Sequence, residues 1–501
     1  MMVVQGKNFI DGRWVPAASG QSFESLNPAN ADEVVGVFPR SGEEDVARAV
    51  EAARRAFPAW RAMSRIRRAE CFDRFVQLVK ADLEPLARLM ARECGKALNE
   101  CRADVMEGIH MAQYVFGMAR MAHGEVVASE VAGKDSYVKR KPKGVLAAIT
   151  PWNFPFAIPL WLLGPSLVEG NAAVFKPSED TPLVAQRLVE YAERAEFPPG
   201  VLNLVQGMGE EAGEPLIRHL EVDAVLFTGS FEVGGRIRRV CAQSEWRLAV
   251  CEMGGKNALL VLADANLDLA VHGGILSAFK TTGQRCVSAG RILIEEPVYE
   301  EYCERFVAMA RRVRVGDPLD PSTFMGPLIN AAGVEKVEGY NRLALEEGGE
   351  VLLEGSRLSE GDLARGFFMS PFVYRMEPGP GKRVLREEVF GPHVALVPVR
   401  DLDHAIEVYN DTPFGLAIGV MTEDYRKARR VERECEFGIG YVNLPTIGAE
   451  VQLPFGGVKR SGTGMPSAAA LFDAVSHRVA WTVNHDTTIT MAQGLEAEVE
   501  D

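Results

Sequence analysis

The stretch "KTTGQRCVSAGR", Lys280 to Arg291, carries Cys286 directly after Arg285. A thiol can pack, ligate a metal, form half of a disulfide, or act as a nucleophile. Only eight cysteines occur in 501 residues, none forms a CxxC pair, and no Cys/His cluster has zinc spacing. At this length and density a disulfide framework is not expected either. Packing and nucleophile remain. A lone cysteine is more often a small buried hydrophobe, but a neighbouring arginine lowers a thiol pKa. Glu252 lies 34 residues upstream, in "LAVCEMGG", where an apolar run ends on a carboxylate followed by two glycines. A carboxylate there can take a proton, although an isolated strand-end glutamate is usually only solvated.

These residues need a frame. Short apolar runs alternate with helical stretches: "GVLAAIT" (144–150), "AAVFKP" (172–177), "VLNLVQG" (201–207), "AVLFTGS" (224–230) and "LAVCEMGG" (248–255). Runs apolar on both faces and separated by helices predict a parallel sheet. A second series follows, "NALLVLAD", "GRILIEE", "HVALVPV", "GLAIGVMTED" and "GIGYVN". The fold class is therefore α/β, with two doubly wound parallel-sheet domains. Glu43 to Trp60 predicts a helix capped by Ser41, and most of 64–125 is helical too. "PFAIPLWLLGPSLVEGNAAVF" (155–175) is apolar, but its prolines and glycines, with Glu169 and Asn171, make it a buried helix running into a strand rather than a membrane span.

In open parallel sheets ligands bind beyond the carboxyl ends of the strands. The rim so defined holds Thr150, Trp152 and Asn153; Lys176, Ser178 and Glu179; Gly207 and Gly209; Gly229 and Ser230; and Glu252, Gly254 and Gly255. Its glycines let backbone approach a ligand, and helix N-termini behind them favour phosphate, so a dinucleotide site is the expectation. The usual fingerprint is missing: in "GMGEEAG" (207–213) the third glycine comes one place late. "FTGSFEVGG" (227–235) is the better phosphate-side candidate.

Bulk properties exclude some partners. Net charge is −14, against non-specific binding to nucleic acid or anionic membranes. No basic segment and apolar core open the chain, so a cytoplasmic or equally reducing location is expected. No metal site is expected. The acidic end, 487–501, is expected to be a loosely held tail.

Together the motifs resemble the aldehyde dehydrogenase superfamily. "TPWNFP" (150–155), "FKPSEDTP" (175–182), "FTGS" (227–230), "EMGGKN" (252–257), "GQRC" (283–286), "EEVFGP" (387–392) and "LPFGGVKRSG" (453–462) occur in the family's order, and the resemblance spans about residues 8–485. It implies that Cys286 attacks an aldehyde, Asn153 and the Cys286 N–H hold the oxyanion, and Glu252 activates water to hydrolyse a thioester. Lys176 would orient the cofactor and Asn153. Glu179 would bond the adenosine ribose, preferring NAD over NADP, with some dual use left open by Lys176. Gly229 and Ser230 match pyrophosphate contacts, and Glu388 the nicotinamide ribose, with Phe390 beside the ring. Trp152 and Gly209 would line the adenine side, and Gly213 and Val233 join the cofactor contacts. The "GMGEEAG" loop thus regains a cofactor role. The presence of Glu252 favours hydrolysis over transfer to CoA, the alternative on this fold together with a thiol esterase.

The resemblance also implies a substrate pocket of Phe154, Trp161, Arg285, Val287, Gly448, Ala449 and Phe455. The loop "NLPTIGAEVQLPFGG" (443–457) resembles that of the α-aminoadipic semialdehyde (antiquitin-like) branch. With Arg285 it leads to the expectation of a carboxylate-bearing or otherwise polar aldehyde, against a broad aliphatic or aromatic one. The implied domains are 1–122 with 145–254 for NAD, 255–453 for catalysis, and 123–144 with 470–486 as a β element bridging subunits of a homo-oligomer, dimer or tetramer. One departure stands out. Family members often carry a glutamate where this chain has Pro466, and that glutamate supports a proton relay.

Overall fold

A computed structural model describes residues 3–244 and 246–493. Two seven-stranded sheets dominate it. In the first, the strands Leu248–Glu252, Ala224–Thr228, Val145–Ile149, Ala172–Lys176 and Leu202–Leu204 lie side by side in that order, all parallel. They are the five expected runs, and most of their residues are buried because helices cover both faces. Two further strands, Asn8–Ile10 and Arg13–Val15, extend this sheet as an antiparallel hairpin. Their turn is Asp11-Gly12, both left-handed (φ 54° and 73°), the conformation a two-residue hairpin requires.

The second sheet contains all five runs of the later series. It adds Phe372–Arg375 in parallel and Glu350–Leu353 as an antiparallel edge. The apolar stretch 155–175 is a buried helix, Ala157–Val168, running into the strand Ala172–Lys176. No described helix is long and apolar enough to cross a membrane.

Four helices precede the first long strands: Glu43–Ala62, Arg65–Ala81, Leu83–Cys94 and Leu98–Met118. The N-cap of the first is Gly42, not Ser41. The Ser41 hydroxyl is buried and accepts from Asn8 Nδ2 at 2.8 Å, while Asp45 reaches back to the Gly42 N–H. The helical stretch ends at Met118, and Gly124–Val127 is already a strand. That strand, Lys134–Pro142 and Ser476–Asn484 form a separate three-stranded antiparallel sheet. Of the acidic end, 494–501 lie outside the described residues, and 487–493 are exposed.

Candidate active site

Cys286 follows a turn held in an unfavourable conformation. Thr281, Thr282 and Gly283 are all left-handed (φ 54°, 57° and 69°). For a β-branched residue this costs about 1–3 kcal/mol, and such strain persists only where the surroundings over-determine it. Here they do. Glu100, on the Leu98–Met118 helix, accepts from Thr281 N at 3.1 Å and Thr281 Oγ1 at 2.7 Å, and Thr282 Oγ1 donates to Gly326 O at 2.9 Å. A Cβ at Gly283 would lie 2.1 Å from Gly391 O, so only glycine fits. Past the turn, Asn257 Nδ2 donates to Cys286 O (2.6 Å) and Ser288 O (2.9 Å). Gln284 O accepts from Asn153 Nδ2 at 2.9 Å, tying the nucleophile loop to the loop that opens the Ala157–Val168 helix.

Arg285 is not free for a substrate carboxylate. Its guanidinium pairs with Glu100 at 2.8 Å and donates to Thr281 Oγ1 at 2.7 Å, with both side chains largely buried. It also lies over the Phe154 ring, 5.0 Å from the centroid, while Lys96 Nζ covers the same ring at 3.8 Å. Arg285 braces the loop and does not line the cleft in front of Cys286. The Glu100 carboxyl is held below its usual range, since Arg285 and Lys280 outweigh the burial that would raise it.

In front of Cys286 lies a cleft of about 190 Å³. Its walls bring together Asn153, Glu252, Cys286, Trp161 and Phe455 with Trp152, Phe390, Gly229, Ser230 and Glu388. The Trp161 and Phe455 rings are 4.7 Å apart; Trp152 meets Phe390 edge-to-face at 5.6 Å. Phe390 is another left-handed non-glycine residue (φ 63°). Trp152 thus lies beside Phe390 in this cleft, which Gly209 does not line. Glu388 accepts from Gly255 N at 3.0 Å, and a Cβ at Gly254 would lie 2.0 Å from its Oε2.

A second cavity, of about 500 Å³, is lined by Lys176, Gly209, Gly213 and Val233 with Ile149 and Ile237. Lys176, buried, pairs with Glu179 at 3.0 Å. Burial alone would raise the Glu179 carboxyl, but Lys176 holds it below its usual range. Ser230 caps the Phe231–Ala242 helix, accepting from Val233 N at 3.3 Å. Thr150, Ser178, Glu179, Phe154, Val287, Gly448 and Ala449 line neither cavity. Thr150 N donates to Lys176 O at 3.3 Å. Ser178 hydrogen-bonds within its own turn to Asp180. Phe154 and Ala449 pack with Cys286 against one apolar cluster that includes Val287, and Val287 O accepts from Thr446 Oγ1 at 2.7 Å. Gly448, at φ 127°, stands in open space.

Electrostatics set the resting state. Burial pushes the Cys286 thiol up to about 12, reinforced by Glu388 and Glu252 and opposed by Arg285. Burial also drives Glu252 well above the usual carboxylate range. The nearby Gly457 N–H opposes this without reaching hydrogen-bond geometry, so neither carboxylate oxygen has a partner among the described residues. Glu388 is raised by burial to about 7.

Comparison with known proteins decides the family. The aldehyde dehydrogenase family model matches residues 14–479. The chain belongs to the aldehyde dehydrogenase family. It is 34% identical over 456 residues to an alpha-ketoglutaric semialdehyde dehydrogenase of Bacillus subtilis, covering 91% of this chain and 93% of that one. A betaine aldehyde dehydrogenase of the same organism is 36% identical over 460 residues, with the same coverage. The crystal structure of betaine aldehyde dehydrogenase from Staphylococcus aureus in complex with NAD+ superposes with a TM-score of 0.93 at 32% identity, covering 97% of this chain and 96% of that one. The protein is thus an oxidoreductase of this family, with the expected α/β fold. Sequence reasoning missed Ser467, Lys336 and Ile158, which also line the Cys286 cleft. No local signal marks them, because only the tertiary fold brings them there.

Proposed function

We propose that the enzyme oxidises a polar aldehyde to its carboxylic acid, using NAD, through a covalent adduct on Cys286. The observation that carries this reading is the convergence of Cys286, Asn153 and Glu252 on one cleft that Glu388 and Phe390 also line. The Cys286 sulfur adds to the aldehyde carbon. One Asn153 N–H is committed to Gln284 O, leaving the other, with the Cys286 N–H, for the oxyanion. Glu252 is the buried base on the cleft, and its unpartnered oxygens suit it to take a proton from water attacking the thioester.

The residues present fit NAD. The apolar walls of the second cavity suit a flat base, Glu179 beside Lys176 suits ribose hydroxyls, and the capped N-terminus at Ser230 suits a pyrophosphate. A carboxylate at Glu179 repels a 2′-phosphate, so NAD is preferred over NADP. NAD, when bound, supplies the acceptor for the hydride.

Semialdehydes belong to the proposed class, supported by the relative that carries that name. With Arg285 spent on Glu100, the polar end of the substrate must find other donors, and the Trp161 Nε1–H in the cleft wall is buried without a partner. We divide the chain as expected, into 1–122 with 145–254, 255–453, and 123–144 with 470–486. The exposed three-stranded sheet, with Val126 90% and Trp481 55% accessible, is our subunit-bridging surface. A reducing compartment such as the cytoplasm suits eight free cysteines. NADH formation across a panel of short, long, aromatic and carboxylated aldehydes tests the reading. Activity with polar aldehydes, lost in Cys286→Ala, is expected; a strong preference for octanal or benzaldehyde over every polar aldehyde would overturn the substrate class.

A further inference from the structure

We propose that Ser467 holds the hydrolytic water against Glu252 and passes on the proton that Glu252 takes from it. This rests on the aldehyde dehydrogenase reading above and adds a positioning residue to it.

Both side chains line the Cys286 cleft. Ser467 is 1% exposed and Glu252 3%, and neither Ser467 Oγ nor either Glu252 oxygen has a partner among the described residues. An unsatisfied buried polar group costs about 1–3 kcal/mol. Two of them facing one cleft are explained if water joins them, since a buried water needs two to four polar partners.

The backbone puts the two together. Residues 251–253 run beside 461–463: Met253 N donates to Ser461 O at 2.8 Å, Cys251 N to Thr463 Oγ1 at 3.1 Å, and Thr463 N to Cys251 O at 3.2 Å. The chain then turns at Gly464 (φ 75°) and returns, so that Ser467 pairs with Phe455. A Cβ at Gly456 would lie 2.8 Å from Glu252 Oε1 and equally 2.8 Å from Pro466 Cβ. The carboxylate tip and the residue before Ser467 thus crowd one point, which only a glycine leaves open. Ala468, left-handed at φ 56°, fixes the backbone on the other side.

Pro466 has no polar side-chain atom to offer. A serine hydroxyl both accepts and donates, and Gly464 and Met465, just before it, are exposed to solvent. In the step itself, water oxygen adds to the thioester carbon as Glu252 takes one water proton. The carbon–sulfur bond then breaks, releasing the carboxylic acid and the Cys286 thiolate. A second water then takes the vacated place, and Glu252 returns to its ionised form by passing its proton through that water to Ser467 Oγ, whose own hydroxyl proton goes on to solvent.

The test compares Ser467→Ala and Ser467→Thr with the parent enzyme. Each is mixed with NAD and propanal, or with p-nitrophenyl acetate and no cofactor, then acid-quenched for intact-mass measurement of the acyl adduct on Cys286. Ser467→Ala should lengthen the adduct's lifetime at least tenfold and lower steady-state turnover by the same factor. The first NADH per subunit should form at the parental rate, and hydroxylamine should restore turnover by capturing the acyl group. Ser467→Thr should keep the parental lifetime. An unchanged lifetime in Ser467→Ala, whatever happens to turnover, overturns the proposal. Absence of NADH from every aldehyde while the ester still acylates Cys286 would instead overturn the dehydrogenase reading.

Discussion

Two polar regions flank the Cys286 loop, and they are built on opposite rules. Behind the loop the charges that hold it are paired: Glu100 with Arg285 at 2.8 Å, and Lys96 with Asp104 at 2.8 Å and with Asn153 O at 2.9 Å. In front of it Asn153 Oδ1, Trp161 Nε1, both Glu252 oxygens and Ser467 Oγ are buried without partners among the described residues. Satisfied networks rigidify; unsatisfied groups wait for something to bind. The difference separates what holds the nucleophile from what the nucleophile serves.

The sharpest way to break the comparison is to remove a member of each side. In front, Cys286→Ala should abolish NADH formation, a loss of at least ~10⁴-fold, with the thermal unfolding midpoint within a few degrees of the parent. Behind, Glu100→Gln leaves Arg285 buried with no counter-charge, a loss of about 3–5 kcal/mol of stability, and it frees the strained Thr281 turn. Its signature is a large fall in the urea midpoint. If Cys286→Ala unfolds the protein or Glu100→Gln leaves the midpoint alone, the division between support and chemistry fails.

A smaller effect concerns protons. Glu252 must be ionised to act as a base, and burial raises its pKa. Hydrolysis of the acyl enzyme should therefore accelerate as pH rises, about tenfold per unit while the pH stays below that pKa, and Glu252→Gln should flatten the slope. The Cys286 thiol, pushed up to about 12, should be alkylated by iodoacetamide in cofactor-free enzyme at a rate still climbing at pH 10. A plateau near pH 8 would mean that the thiol is already activated at rest.

The asymmetry also explains what was legible in the sequence. Strands buried on both faces announce themselves as apolar runs, and ten strands are legible that way, whereas the buried four-residue strand Phe372–Arg375 is not. The edge strand Glu350–Leu353 is half-exposed and short, so its pattern is weak. The hairpin at Asp11-Gly12 did carry a turn signal, in two three-residue strands too short to register as periodic. In the site, motif residues such as Asn153, Glu252 and Glu388 were readable one by one. The role of Arg285 was not, because its partner Glu100 is 185 residues away. Ser467 was invisible for the same reason: its meaning depends on Glu252 having no other partner.

The smallest effect sharpens the comparison most finely. Trp161 is 94% buried, packs at a tilt against Phe455, and carries an Nε1–H in the cleft wall with no partner among the described residues. Trp161→Phe keeps an aromatic ring against Phe455 and deletes the donor. If that N–H waits for an oxygen on the substrate, kcat/KM should fall about five- to twenty-fold for a semialdehyde, the ~1–2 kcal/mol of one hydrogen bond in a buried site. For propanal, which has no second oxygen, it should change less than about twofold. Equal losses for both would assign Trp161 to packing alone and move it from the front of the loop, where groups wait for substrate, to the supporting side with Phe154.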